Sequence, residues 1–160
     1  KQFEKLDLNY YQNFIRSILP YVVLFFFVIR YNDYLNNLKK GDNPSILFFS
    51  TVAVSQGMPF HASVSVAKSG VEGLTKSLAA ELAPTVRVNC IAPTITRTDM
   101  AQKILRNERI EENIASKHPL KQICEAEDIS NMANFLISTK SNKITGQIIH
   151  VDSGMSTLKI

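Results

Sequence analysis

Three short runs rich in apolar residues alternate with longer amphipathic patterns, and this order limits the chain to few architectures. The apolar runs are residues 45–50, 86–91 and 147–151. Polar or turn-forming residues bound each run, which is typical of strands buried on both faces of a parallel sheet. The helical patterns between and beyond them cover residues 63–83, 108–116 and 125–138. The sequence therefore predicts an α/β fold built on a parallel sheet.

The region before residue 45 is harder to interpret. Residues 3–19 carry apolar side chains at helical spacing, and Pro20 ends this predicted helix. Residues 22–29 form a continuous apolar run of strand-like composition. Eight residues are too few to cross a bilayer, which requires about 20. The run is interpreted as a segment covering a bare sheet edge, as a disruptive insertion, or as a variable loop.

Composition excludes several functional classes. The hydrophobic fraction is 45%, and the net charge of +4 is scattered without a long run of like charges. This is typical of a globular domain and predicts neither nucleic-acid nor membrane binding. Cys90 and Cys124 have no metal-binding spacing, so we expect no metal site and two reduced, partly buried thiols. With no secretory pattern in residues 1–9, these features predict a cytoplasmic protein.

Five matches follow, in the same order, the motifs of one enzyme family: Leu8-Asn9, Ser45–Thr51, Glu72–Glu81, Arg87–Pro93, and Ile144–Gln147 together with Val151–Met155. The chain thereby resembles the C-terminal half of the short-chain dehydrogenase/reductase family. The resemblance implies a partial doubly wound, Rossmann-like parallel sheet with flanking helices. It also implies a single domain over residues 1–160 that lacks the family's N-terminal nucleotide-binding third, with an insertion at residues 22–35.

The resemblance implies NAD(P)-dependent chemistry on a small-molecule alcohol or carbonyl substrate. The family's active-site helix begins with Tyr-x-x-x-Lys, and Lys68 matches the lysine, which lowers the tyrosine pKa and binds the cofactor ribose. Thr51 takes the place of the serine that binds the substrate oxygen. Asn9 takes the place of the asparagine that holds a proton-relay water.

Further positions of the resemblance concern NAD or NADP. Pro93, Thr96 and Thr98 match positions that contact the nicotinamide end, and Thr94 stands where the family usually has glycine. The family's Gly-rich phosphate loop has no counterpart among the glycines at positions 41, 57, 70, 73, 146 and 154. That loop provides the pyrophosphate site in such folds, so its absence predicts weak cofactor binding.

Val64 occupies the tyrosine position, four residues before Lys68. Valine has no titratable group and cannot transfer a proton. Two hypotheses follow: an oxidoreductase with impaired catalysis, or a non-catalytic pseudoenzyme, fragment or assembly subunit. His61 is a further candidate for a substitute base, although an ordinary loop histidine is the alternative.

The remaining expectations concern assembly and structure. The resemblance implies a homo-oligomer formed through the helices at residues 3–19 and 63–83. His118 and His150 are expected to be structural. Asp152 is expected to bind the backbone of its own turn.

Overall fold

In the computed structural model of this chain, we describe residues 37–159. The chain divides into two compact units, Lys1–Gly41 and Asp42–Ile160, and the fold below is that of the second unit. Asn9, the predicted helix at residues 3–19, the apolar run at 22–29 and the predicted insertion at 22–35 lie outside the described residues.

The sheet contains the three predicted strands side by side. They are β1 (Ser45–Phe49), β2 (Arg87–Pro93) and β5 (Ile148–Val151), in the order β1-β2-β5 and all parallel. The strand β2 is central and almost wholly buried. In contrast, β1 is only half-buried and Phe49 is exposed, so the prediction of full burial is wrong there. The reason is that β1 pairs with one strand, β2, within the described residues.

The helices lie close to their predicted bounds. They are α1 (Ala62–Leu82), α2 (Glu108–Ala115) and α3 (Ala126–Ile137), with short 3-10 turns at Asp99–Ala101 and Thr139–Ser141. The Asn107 side chain caps α2 by accepting from Ile110 N at 3.0 Å. Glu125 and Asp128 form a capping box at the start of α3, which satisfies backbone N–H groups that have no helical partner.

The helices α1 and α3 lie against opposite faces of the sheet. Side chains alternate along a strand, so Arg87 and Cys90 of β2 point to opposite faces. The Cys90 thiol contacts Thr75 of α1, whereas Arg87 Nη1 donates to Leu136 O of α3 at 2.8 Å. Helices on both faces of a parallel sheet confirm the predicted partial doubly wound, Rossmann-like architecture.

The predicted apolar stripe of α1 is only partly buried. Residues 64, 67, 71, 74, 78 and 82 form this stripe in the sequence. The buried residues of α1 are Thr75, Leu78, Ala79 and Leu82, all in the C-terminal half that packs on the sheet. The stripe is exposed or only half-buried in the N-terminal half, because polar side chains of α1 make the contacts with the end of β1.

A second, very small sheet lies after β2. β3 (Thr96–Arg97) pairs in parallel with β4 (Cys124–Glu125). The sequence predicts an irregular or weakly helical stretch there, because a two-residue strand is too short to show a period. Within residues 37–159, no helix has the length and apolar character needed to cross a membrane.

Candidate active site

The predicted site residues of the described region gather where the parallel strands end. Hydrogen bonding between β1 and β2 continues past the end of β1, since Val52 N donates to Pro93 O at 3.1 Å. This places Thr51 and Pro93 on adjacent chain segments. Thr51 Oγ1 accepts from Ala53 N at 3.4 Å, so the threonine side chain also closes its own turn. Ligands of open α/β sheets bind at this carboxyl edge.

Lys68 reaches this edge from the second turn of α1. Its Nζ donates to Phe49 O, the last carbonyl of β1, at 2.9 Å. An ammonium group has three donors, and residues 37–159 accept one of them, so within this part of the chain two are left for a ligand. One turn earlier on the same side of α1, Ser65 Oγ donates to Ala53 O at 3.0 Å. Lys68 is therefore held by backbone at the place where Thr51 follows its strand.

Glu72 belongs to the same side of α1, and the sequence reasoning missed it. Ser50 Oγ, in a residue that is only 4% exposed, donates to Glu72 Oε1 at 2.6 Å. Glu72 is four residues after Lys68 and Ser50 precedes Thr51. That spacing was the one available signal, because residues four apart on a helix are neighbours.

Val64 lies one helical turn before Lys68 and is 43% exposed. It therefore occupies an open position beside the site, with no donor or acceptor in its side chain. His61 immediately precedes α1, and its Nδ1 lies 2.7 Å from Pro59 O. A carbonyl only accepts, so Nδ1 carries the proton and Nε2 is left as the potential base. The substitute-base role of His61 stays a prediction.

The threonines after β2 form a ladder of local hydrogen bonds. Thr96 Oγ1 donates to Thr94 O at 3.0 Å, and Thr98 Oγ1 donates to Thr96 O at 3.4 Å. These bonds use the hydroxyl protons, so each oxygen offers its lone pairs as an acceptor. Thr96 is half-buried and Thr98 is exposed. Both hydroxyls can therefore accept from an amide donor such as a carboxamide.

The expected structural role of Asp152 is confirmed. Its carboxylate accepts from Gly154 N at 2.9 Å and from Ser156 N at 2.8 Å, and also binds the Ser156 hydroxyl. Burial by itself disfavours the charged carboxylate, but the hydrogen bonds from Ser156 and Gly154 outweigh it. The pKa of Asp152 is therefore held below its usual value.

Two of the histidines follow different patterns. His118 is 1% exposed and hydrogen-bonded through both ring nitrogens, which confirms its expected structural role. His150 is exposed, and its Nε2 lies 3.4 Å from Ser55 Oγ.

The two thiols are buried and unbonded to each other, as expected for reduced cysteines. Burial raises the pKa of Cys90 and of Cys124. Raised pKa values keep both groups as thiols rather than thiolates, so neither is a reactive nucleophile.

Comparison with known proteins agrees with this geometry. A family model described as enoyl-(acyl carrier protein) reductase matches residues 24–156. The structure of a short-chain type dehydrogenase/reductase from Mycobacterium ulcerans superposes with a TM-score of 0.69 at 35% identity, over 74% of this chain and 44% of that one. The chain belongs to the short-chain dehydrogenase/reductase family.

Other members of the short-chain dehydrogenase/reductase family are similar over comparable lengths. The peroxisomal 2,4-dienoyl-CoA reductase of Saccharomyces cerevisiae is 36% identical over 76% of this chain and 41% of its own length. ElxO, solved with NADP bound, has a TM-score of 0.71 at 28% identity, over 78% of this chain and 51% of its own. The chain thus spans less than half the length of the curated relatives it matches.

Proposed function

We propose that the protein binds NAD or NADP and forms at least part of an active site. This site reduces a carbonyl or an activated double bond, or oxidises an alcohol. The observation that carries this proposal is the position of Lys68, whose Nζ is fixed on Phe49 O at the carboxyl edge of the sheet. A lysine with two free donors at that edge suits the hydroxyls of a cofactor ribose. ElxO, which has the same fold, binds NADP.

The described residues fit one end of such a cofactor. Lys68 offers donors for the ribose, and the Thr96 and Thr98 oxygens offer acceptors for the carboxamide beside Pro93. The chain's glycines do not form the family's phosphate loop, so the fit is limited to the nicotinamide and its ribose. When bound, the cofactor supplies or accepts the hydride.

Further roles are proposed for residues at the substrate. Thr51 binds the substrate oxygen, for which its hydroxyl is free to donate while accepting from Ala53 N. Asn9, which lies outside the described residues, holds the relay water. Val64 supplies no proton, so we propose that catalysis is impaired in the reactions that require a tyrosine acid. Acid–base groups of this kind typically contribute about 10²–10⁴-fold to a rate.

Cofactor titration tests the proposal directly. The change in NADPH and NADH fluorescence is measured for the wild-type chain, for Lys68→Met, and for Lys76→Met as the control on the exposed side of α1. We expect Lys68→Met to weaken binding about tenfold or more, because charge-assisted hydrogen bonds are lost. Lys76→Met should bind as the wild type does. No binding by the wild type, or equal binding by both variants, refutes the proposal.

Turnover is then measured with NADPH and three substrates: a ketone, an enoyl thioester and a 2,4-dienoyl thioester. The two thioesters are chosen from the names of the matching family model and of the yeast relative. Binding without turnover of any of the three would support a pseudoenzyme.

A second candidate is a subunit of a homo-oligomer that associates through α1. The observation in its favour is that Phe60, just before α1, is fully exposed and that Val66 on α1 is 75% exposed. Burying such side chains drives association. Light scattering of the wild type, of Val66→Glu and of the control Lys76→Glu tests this. A wild-type monomer, or an oligomer unaffected by Val66→Glu, refutes it.

We also propose a cytoplasmic location, which the two buried free thiols support. Fractionation of cells that express the chain tests it, and recovery with a membrane or secreted fraction refutes it.

A further inference from the structure

After β2 the chain leaves the main sheet in a long excursion, and one hydrogen bond joins the two residues at which the excursion begins and ends. This pair of residues is called the neck. The excursion is defined here as residues 95–117, which contain β3, a 3-10 turn and α2. Thr94 and His118 bound it on either side, and Thr94 Oγ1 lies 2.8 Å from His118 Nε2. Thr94 is 8% exposed and His118 is 1% exposed. The bond therefore joins both ends of the excursion inside the protein.

The direction of this bond follows from the second contact of the ring. His118 Nδ1 lies 2.9 Å from Ile114 O, and a carbonyl can only accept, so Nδ1 carries a proton. In the neutral imidazole Nε2 is then an acceptor, and the Thr94 hydroxyl donates to it rather than to Met155 Sδ at 3.4 Å, because sulfur is the weaker acceptor. The bond thus requires a hydroxyl at position 94. Neither glycine nor valine could replace it.

Both ends are also bonded to β5 or to the turn that follows it. Thr94 N donates to Val151 O at 3.2 Å, beside the end of β5. On the returning side, Leu120 N donates to Ser153 O at 3.1 Å. Next to His118, Pro119 packs so closely on Gly154 that an added Cβ at Gly154 would lie 3.1 Å from it. Inside the excursion, β3 also pairs with β4, and Arg97 Nε donates to Glu125 Oε1 at 3.0 Å, so the Thr94–His118 bond acts together with these contacts.

We propose that the Thr94–His118 hydrogen bond is a clamp that sets the position of Thr96 and Thr98 at the cofactor, and that His118 is a positioning residue of the site. Thr96 is two residues after Thr94, and its Oγ1 donates directly to Thr94 O. Loss of the Thr94–His118 bond would therefore move the Thr96 and Thr98 oxygens, which we assign as acceptors for the carboxamide. This inference rests on the proposed cofactor binding, and the test separates the two.

Hydrogen exchange on the full chain tests the clamp without any cofactor. Thr94→Val keeps the side-chain volume but removes the donor, and Thr94→Ser keeps the donor. The control is Glu111→Gln, which breaks an exposed ion pair with Arg97 inside the excursion. We expect Thr94→Val to speed exchange in residues 95–117 by about tenfold or more relative to the sheet, since a buried acceptor loses its partner. Thr94→Ser and Glu111→Gln should exchange as the wild type does.

The dissociation constant of NADPH is measured on the same variants. We expect Thr94→Val to weaken binding in parallel with faster exchange, and Thr94→Ser to restore the wild-type value. Unchanged exchange in Thr94→Val refutes the clamp whatever the cofactor does. Faster exchange with unchanged NADPH affinity refutes the positioning role. A wild type that binds no NADPH refutes the proposed cofactor binding and with it the positioning role, whereas exchange still decides the clamp.

A measurement on the wild type covers the case in which Thr94→Val does not fold. The ¹⁵N chemical shifts of the His118 ring report which nitrogen carries the proton. We expect a neutral ring protonated at Nδ1. A ring protonated at Nε2 would refute the donor role assigned to Thr94, and an Nε2 shift typical of an imidazole nitrogen without a hydrogen bond would refute the clamp itself.

Discussion

Ser50 Oγ donates a 2.6 Å hydrogen bond to Glu72 Oε1, which ties the end of β1 to the middle of α1. The bond is made beside Thr51, the threonine assigned to the substrate, and one helical turn from Lys68. Cys90 lies near both charges of this helix, since Glu72 and Lys68 each influence the pKa of its thiol. The polar side of α1 is therefore part of the packing that fixes the site.

Loss of the Ser50 hydroxyl should destabilise the fold. In Ser50→Ala the Glu72 carboxylate keeps its charge and loses a buried donor, which costs about 1–2 kcal/mol. The free energy of unfolding in urea measures this. Ser69→Ala is the control, because among the described residues its exposed hydroxyl binds the backbone of its own helix, at Ser65 O. Equal stability of the two variants would contradict the structural role of the Ser50–Glu72 bond.

Arg87 should be one of the most sensitive positions in the sheet. The residue is 8% exposed, and its guanidinium donates to Leu136 O at 2.8 Å, Ser141 Oγ at 2.9 Å and Ser138 O at 3.2 Å. It thereby satisfies carbonyls at the C-terminal end of α3, where a positive charge is also favourable.

Arg87→Met removes all these donors and should lower the free energy of unfolding by about 3 kcal/mol or more. Arg87→Lys keeps the positive charge but loses the planar guanidinium, so its free energy of unfolding should lie between those of the wild type and Arg87→Met. Urea denaturation measures both against Arg106→Met, a change at an exposed arginine. A loss in Arg87→Met no larger than that of Arg106→Met would show that the α3 contacts contribute little.

In the turn after β5, two neighbouring substitutions should change the stability of the chain in opposite directions. Ser153 has φ +54°, a conformation that costs most residues other than glycine energy. Ser153→Gly should therefore stabilise the chain by about 0.5–1 kcal/mol. Gly154→Ser should destabilise it, because Gly154 has φ +84° and a Cβ there would crowd Pro119 and Leu158. Thermal unfolding compares the two, and a stabilised Gly154→Ser would contradict the described turn.

Asp152 should make stability depend on acid pH. Its pKa is lower in the folded chain than the usual value of about 3.9, so the folded state binds fewer protons than the unfolded one. This contribution is present above the usual pKa and is lost as the pH falls through the folded pKa.

Asp152→Asn should be less stable than wild type near neutral pH and should lose less stability between about pH 5 and pH 2. Urea midpoints across this range measure the slope, with Asp99→Asn, at an exposed carboxyl, as the control. A wild-type slope that survives in Asp152→Asn would assign the pH dependence to other carboxyls.

The strands and long helices could be predicted from sequence because each is a local pattern. The run around Ile46 to Phe49, the buried β2 and the helical pattern of α3 each carry their signal within a few neighbouring residues. The burial of β1 could not be predicted in the same way. It depends on how many strands lie beside Phe49, which is not a property of the run itself.

The polar side of α1 and the clamp depend on distant partners. The apolar residues of the first turns, such as Val64 and Val71, favour a buried stripe by period alone. The sheet end instead presents carbonyls, among them Phe49 O, and these select the polar side of the helix. Thr94 and His118 are 24 residues apart, and no local pattern links them. The family motif gives Lys68 a role, whereas Glu72 begins a matching segment to which the resemblance gives no role at the site.

The open position of Val64 makes the proton-transfer question testable by restoring one hydroxyl. Val64 is beside Lys68 on the same side of α1 and half-open to solvent, so a larger ring can be placed there without displacing the core. Val64→Tyr and Val64→Phe differ by a single hydroxyl group, which makes the phenylalanine variant a control for ring packing. The assay is NADPH-dependent reduction of the ketone and thioester substrates, with the dissociation constant of NADPH measured alongside.

If the site binds cofactor and substrate as proposed, Val64→Tyr should reduce a ketone about 10²–10⁴-fold faster than Val64→Phe, the range typical of general acid catalysis. The gain should appear in kcat rather than in NADPH affinity, because the hydroxyl acts on the reacting oxygen. Lys68→Met in the Val64→Tyr background should remove most of that gain, since the lysine lowers the pKa of the tyrosine. Equal rates for the tyrosine and phenylalanine variants, with NADPH bound in both, would mean that the substrate oxygen does not lie beside residue 64.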